Sequence, residues 1–151
     1  GGLLEVAAGL RNGGRLGLLL GLAGNRLESD FHALAEVAAA ANPDRVWLKD
    51  IAGEYLRGRA SGDVAMILRD ALLASGMSEA NLPVCLHETL AVREALAWAQ
   101  AGDLLVVPVH ELERRDEVVS LLDRLRAEGW RAGESLPDAS PGQDACSGTN
   151  P

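Results

Sequence analysis

Apolar residues follow two alternating patterns along the chain. Short, nearly continuous aliphatic runs predict buried strands, and longer segments with apolar residues three or four positions apart predict amphipathic helices. Because the strands are apolar on both faces and alternate strictly with helices, the pattern indicates a parallel sheet covered on two sides. The predicted strands are residues 15–20, 45–49, 83–86 and 104–109, and the predicted helices are residues 3–10, 30–41, 62–74, 88–100 and 116–128.

We therefore predict an α/β fold that is Rossmann-like and doubly wound, with a mostly parallel sheet between two layers of helices. Ligands of such sheets bind outside the carboxyl ends of the strands. The loops at that edge would be residues 21–26, 50–60, 87–88 and 110–115. These loops carry most of the side chains with chemical potential, which favours a binding site at this edge.

Charge and cysteine content exclude several classes of function. The 151 residues include 22 acidic and 14 basic side chains, a net charge of −8, which argues against general nucleic-acid binding. No apolar run approaches the ~20 residues of a membrane span, and no signal peptide is visible. Cys85 and Cys146 lie far apart, so we expect neither a disulfide nor a metal site, and we expect a cytoplasmic protein. The three histidines show no metal-ligand spacing.

Two arginines flank a glycine after the second predicted strand. Arg57 and Arg59 could grip a carboxylate or phosphate with their guanidinium forks, while Gly58 lets the backbone approach the ligand. The alternative is a solvated loop whose arginines pair with Glu54 or Asp63. We favour anion binding, because two neighbouring guanidiniums in an acidic chain suit an anion better than solvent.

A glycine-bearing loop follows the first predicted strand. Gly21-x-x-Gly24-Asn25-Arg26 precedes a helix and could bind an anion through backbone N–H groups. The pattern is not a dinucleotide-binding fingerprint, and the lysine of a P-loop is missing. A tight strand-to-helix turn explains it equally well.

His110 and Glu111 stand at the end of the fourth predicted strand. Either could contact a substrate amine or move a proton, and the alternative is a helix cap at the surface. His87 and Glu88 are interpreted as a helix start, where the glutamate interacts favourably with the helix dipole.

The ordered set of these segments resembles the C-terminal domain of the Mur ligase superfamily, and most of all cyanophycin synthetase and its relatives. The first loop of that family tends to run G-x-x-G-D-R and the second R-G-R-x-x-G-E. The resemblance covers about residues 10–128 and departs from the family at three places. Those departures are Asn25 in place of aspartate, Asp63 in place of glutamate, and Pro108-Val109 before His110-Glu111.

The resemblance implies the C-terminal domain of an ATP-dependent amide ligase, which closes over a separate P-loop domain and holds an amino-acid substrate. ATP and Mg²⁺ would act in the full-length parent, and none would be bound by this chain alone. Arg57, Gly58, Arg59, His110 and Glu111 would then contact the substrate. Three further residues, in the closing or nucleotide-facing loop, would be Gly24, Asn25 and Arg26. Implied partners are the amino acid and the central domain of the same parent, with a homo-oligomer as a further option.

We assign residues 1–134 to this domain, N-terminally truncated because the aspartate-tyrosine-alanine-histidine-asparagine segment that usually opens it is missing. Residues 135–151 are rich in small polar residues and proline and are expected to form a disordered tail. The alternative function is a non-catalytic Rossmann-like module that binds a small anionic ligand or a protein partner.

Overall fold

The fold is known from a computed structural model that describes residues 2–51, 53–137 and Cys146. Within this part the chain is an α/β fold with a small parallel sheet, as the alternating pattern predicts. None of the described helices is long and apolar enough to cross a membrane. The elements are α1 (Gly2–Leu10), β1 (Leu16–Leu20), α2 (Glu28–Ala40), β2 (Arg45–Leu48), α3 (Asp63–Ala74), α4 (Glu88–Trp98), β3 (Leu104–Val106) and α5 (Leu112–Ala127), with short 3₁₀ helices at Gly53–Leu56 and Glu79–Asn81.

The three strands are parallel and lie in the order β2-β1-β3. The predicted strand at residues 83–86 is reduced to one parallel bridge between Val84 and Leu48. The Leu48 N–H donates to the Pro83 carbonyl at 2.9 Å, and the Cys85 N–H donates to the Leu48 carbonyl at 2.8 Å. The preceding proline has no N–H group to extend the ladder, which limits the pairing. Pro108 has the same limitation, and β3 ends at Val106 instead of residue 109.

Neighbouring residues of the central strands contribute to different cores, because side chains alternate across a strand. Leu18 and Leu20 pack in one buried cluster with residues of α2 and α3, including Phe31. Leu19 and Trp47 pack in another with residues of α4 and α5. Helices therefore bury apolar side chains against both sets of strand residues.

Helix α5 begins at Leu112, four residues before the predicted start at residue 116. Because the first turn is mostly charged, the pattern of apolar positions does not show where this helix begins. Glu113 lies near the helix N-terminus, where a negative charge is favourable, and Arg114 pairs with Glu117 at 2.6 Å. The charge run is therefore the exposed first turn of a helix.

The predicted tail has described residues that contact the folded core. Leu136 is buried against Leu121 and Leu125 of α5. Cys146 forms a disulfide with Cys85, so the expectation of no disulfide was wrong. The 61 positions between the two cysteines concealed their proximity. Residues 138–145 and 147–151 of the predicted tail lie outside the described residues. The cytoplasmic location rested partly on unbridged cysteines and stays a prediction.

Candidate functional site at the carboxyl edge of the sheet

The loops that follow β1 and β2 are bonded to each other. The Gly24 N–H donates to the Tyr55 carbonyl at 2.8 Å, and Arg59 Nε donates to the Gly24 carbonyl at 3.0 Å. A Cβ atom at position 24 would overlap the Leu56 carbonyl oxygen. Glycine is thus required for the contact between the loops, and its N–H already has a partner.

Asn25 and Arg26 continue the first loop and are exposed to solvent. They share an edge with the second loop, because Gly24 ties the two loops together. A shared binding edge of Asn25, Arg26 and the Arg57–Arg59 segment stays a prediction.

The two predicted anion-binding arginines have different surroundings. Arg59 is partly buried. Its guanidinium lies 5.2 Å from the centre of the Phe31 ring, and its Nε donates to the Gly24 carbonyl. Arg57 is exposed and adopts a left-handed backbone with φ of 51°, which few non-glycine residues do. The described residues provide no ion pair to Arg57. Arg59 therefore holds the loop in place while Arg57 faces solvent.

A buried carboxylate fixes the far end of the second loop. Asp50 is 2% exposed, and its Oδ2 accepts from Ser61 Oγ at 3.0 Å and from the Gly62 N–H at 2.7 Å. Gly62 has φ of 91° and immediately precedes α3. Gly62 occupies the N-cap position of α3, and the Ser61 hydroxyl bonds to Asp50 and does not cap the helix. Asp50 Oδ1 is buried without a hydrogen-bond partner among the described residues.

Lys49 and Glu88 form a fully buried ion pair at the same edge of the sheet. Lys49 Nζ also lies 3.0 Å from His110 Nδ1. The Glu88 carboxylate accepts from the His110 N–H at 3.0 Å and from the Glu111 N–H at 3.1 Å. This cluster joins the end of β2, the start of α4 and the loop after β3.

The local sequence explains why these charges are buried. Lys49 continues β2 by one residue, since its N–H bonds to the Leu20 carbonyl at 2.9 Å. Its side chain runs past Gly21, where a Cβ atom would lie 3.0 Å from Lys49 Cγ and 2.8 Å from the Lys49 carbonyl oxygen. Glu88 is the first residue of α4, so its carboxylate starts at the sheet edge. Gly21 therefore leaves room for a charged side chain that points inward.

The pKa values of the pair reflect burial and mutual attraction. Burial acts to raise the pKa of Glu88, but the hydrogen bond from Lys49, the bond from the His110 backbone N–H and the charge of Lys49 lower it to about 2. Burial lowers the pKa of Lys49, and the bond to Glu88 opposes this effect. The carboxylate is therefore held in its ionised form by its partners.

His110 and Glu111, both predicted site residues, meet Glu88 through their backbone N–H groups. The His110 ring is 39% exposed, so it reaches from the buried pair to the surface. The Glu111 side chain lies 3.9 Å from Arg114. Sequence reasoning missed Lys49 and assigned Glu88 only to the helix dipole. The available signal was a lysine at the end of a predicted apolar strand, which is usually interpreted as a solvent-exposed position.

A second cluster combines Cys85, Glu94 and Cys146, whose potential ligand atoms lie within 4.8 Å of one another. Metal ions bind the thiolate form of cysteine, and here the two sulfurs are bonded to each other. Glu94 instead accepts a hydrogen bond from the Cys146 N–H at 2.9 Å. The cluster therefore anchors Cys146 on α4.

Neither a scan against models of known protein families nor a search of curated proteins gives a match for this chain.

Proposed function

We propose that this chain is the C-terminal, substrate-binding domain of an ATP-dependent amide ligase of the Mur ligase type, similar to cyanophycin synthetase. One observation carries the proposal. The loops after β1 and β2 are tied together at Gly24, and the second loop leaves Arg57 exposed at the carboxyl edge of the sheet. An exposed guanidinium on a firmly held loop suits an anionic substrate.

The arrangement of the strands supports a Rossmann-like, doubly wound fold with three layers. Including the bridge at Val84, the order across the sheet is residue 84, β2, β1 and β3. In chain order this is 3-2-1-4, the order of a doubly wound sheet on both sides of its switch point. The separate clusters around Leu18 and Leu19 fit helices on two faces. Ligands of such sheets bind at the carboxyl edge, where the candidate residues lie.

The residues of this edge would divide the work of substrate binding. Arg57 would bind a carboxylate of the incoming amino acid, and Arg59 would keep the loop against Gly24. His110 would face the same ligand from the loop after β3. Holding the amine in a fixed position raises the rate of its attack on an activated carboxyl group. The chemistry that ATP and Mg²⁺ supply in such ligases is the activation of that carboxyl group by phosphorylation.

The residues present do not fit a nucleotide site within this chain. Gly24 has the position of a phosphate-binding glycine, but its N–H already bonds to Tyr55. The lysine of a P-loop is missing as well. ATP would therefore be held by a separate domain of the parent polypeptide, and this chain would close over it.

The proposal is tested in the polypeptide that the parent gene encodes, by measuring amino-acid-dependent release of ADP. Arg57→Ala should raise the apparent KM of one amino acid about 10- to 100-fold, because a charge-assisted hydrogen bond contributes about 1.5–3 kcal/mol. Arg131→Ala is the matched control, since Arg131 is also exposed but lies after α5. It should leave KM unchanged.

Two results would overturn the proposal. An unchanged KM in Arg57→Ala for every amino acid used would remove the anion-binding role of the loop. A parent polypeptide that lacks G-x-x-x-x-G-K-[ST] upstream of this segment and releases no ADP would contradict the ligase. The non-catalytic binding module would then be the better explanation.

A further inference from the structure

The buried cluster of Lys49, Glu88 and His110 carries an inference of its own. An ammonium group has three donors and no acceptor. His110 Nδ1 lies 3.0 Å from Lys49 Nζ and 3.3 Å from Glu88 Oε1. A proton on Nδ1 would point a donor at the nearer ammonium, whereas a lone pair on Nδ1 accepts a hydrogen bond from it.

We propose that Lys49 and Glu88 are positioning residues that fix the His110 ring in the tautomer with its proton on Nε2, and that Nε2–H is the hydrogen-bond donor offered to an anionic oxygen of the ligand. The ligand oxygen belongs to a carboxylate or a phosphoryl group. The ligand half of this inference rests on the proposed function, and the tautomer half stands without it.

Three contacts fix the ring. Lys49 donates both to Glu88 Oε1 and to His110 Nδ1. The same carboxylate accepts from the His110 backbone N–H at 3.0 and 3.2 Å to its two oxygens. Backbone and ring of His110 are therefore attached to one buried pair, whose two side chains are fully enclosed. Such a pair has few alternative rotamers, so the ring has one orientation.

The outward side of the ring is available to a ligand. The His110 side chain is 39% exposed, although Nδ1 faces the buried pair. The described residues place no hydrogen-bond partner on Nε2. A neutral imidazole with an inward acceptor has its only N–H on the outward nitrogen. This N–H lies at the carboxyl edge of the sheet, from which the loop that carries Arg57 and Arg59 (the arginine loop) also extends.

Nitrogen-15 NMR of the histidine rings tests the tautomer directly, because protonated and unprotonated ring nitrogens have distinct shifts. Two-bond correlation spectra of the full chain at neutral pH should show a pyrrole-type Nε2 and a pyridine-type Nδ1 for His110. His32→Gln and His87→Gln assign the other two rings. A pyrrole-type Nδ1 in the unmodified chain would overturn the tautomer assignment.

Lys49→Met should reverse the tautomer. Without the ammonium, the Glu88 carboxylate at 3.3 Å is the remaining partner of Nδ1, so the proton should move to Nδ1. Arg69→Met removes a cation from the surface of α3 and should leave the spectrum of His110 unchanged. An unchanged tautomer in folded Lys49→Met would overturn the role of Lys49. If that variant does not fold, the spectrum of the unmodified chain still decides the tautomer.

Titration with inorganic phosphate and, separately, with succinate tests the ligand half. A saturable shift of the His110 Nε2 signal is expected with one of the two probes, and that probe identifies the chemical class of the ligand. No shift of Nε2 with either probe would overturn the donor role. A ligase that is active in the parent while Nε2 does not respond would leave the proposed function intact and refute only this inference.

Discussion

The buried pair of Lys49 and Glu88 gives the sharpest prediction for stability. We consider Lys49→Met, Glu88→Gln and the double variant. Glutamine at position 88 keeps an amide oxygen that can accept from the His110 and Glu111 N–H groups. Methionine replaces the lysine with an apolar chain of similar length. The double variant therefore removes both charges while it preserves the backbone hydrogen bonds.

The magnitude follows from the pKa of Glu88, which is about 2 in the folded chain against an ordinary value of 4.5. Such a difference corresponds to about 3 kcal/mol of folding free energy at neutral pH. Breaking a buried pair by removing one partner costs about 3–5 kcal/mol, which agrees. Each single variant should thus lose about 3 kcal/mol. The double variant should lose about 1 kcal/mol, because no charge is left unpaired.

The pH dependence has a definite sign. Because the pKa of Glu88 is lower in the folded chain, its contribution is fully present above pH 4.5 and is lost as the pH falls towards 2. The unmodified chain should therefore lose about 3 kcal/mol more than Glu88→Gln between these two pH values. Urea unfolding followed by circular dichroism, with the disulfide oxidised, measures both quantities.

Arg69 and Glu79 provide the matched control, because they form an ion pair whose acidic side chain is 75% exposed. Their double-mutant cycle should give a coupling energy below about 1 kcal/mol. If the losses of Lys49→Met and Glu88→Gln add up in the double variant, their coupling energy is as small as that of the control. That result would refute the account of the pair as an interdependent buried unit.

Two further predictions concern the loops and the disulfide. Gly24→Ala should lower the free energy of unfolding by about 2 kcal/mol or more, because its Cβ would overlap the Leu56 carbonyl. Gly9→Ala in α1, where a Cβ meets open space, should instead raise it by about 0.5–1 kcal/mol, and equal effects in urea unfolding would contradict this packing argument. Cys146→Ser should have a free energy of unfolding about 4 kcal/mol below that of the oxidised chain, since the bridge to Cys85 spans 61 positions. After reduction of the disulfide, the unmodified chain should be no more stable than Cys146→Ser. A Cys146→Ser variant as stable as the oxidised chain would show that the bridge does not restrain unfolding.

Much of the fold could be predicted because its elements have strong apolar patterns. The runs at β1 and β2 and the periodic faces of α2 and α3 lie close to their predicted bounds. The predictions were poorer where a pattern was weak or interrupted. The first turn of α5 is charged, and Pro83 limits the strand at residues 83–86 to one bridge. A Rossmann-like arrangement of three layers stays a prediction.

The candidate site was predicted less completely than the fold, for a physical reason. Strand ends could be recognised, so His110 and the arginine loop were assigned to the carboxyl edge. The partner of a buried charge is set by tertiary packing, and Glu88 is 39 positions from Lys49. A lysine at the end of an apolar run normally extends into water. Only the space left by Gly21 and the nearby carboxylate show that Lys49 points inward.

The end of β2 connects the two halves of the candidate site. Lys49 and Asp50 are consecutive, and extended backbone directs consecutive side chains to opposite faces of the sheet. Lys49 holds His110 through the buried pair, while Asp50 holds Ser61 at the far end of the arginine loop. Both residues are almost completely buried, so neither can move without exposing the core. Lys49 and Asp50, the two residues that follow β2, therefore hold His110 on one side and the far end of the Arg57–Arg59 loop on the other.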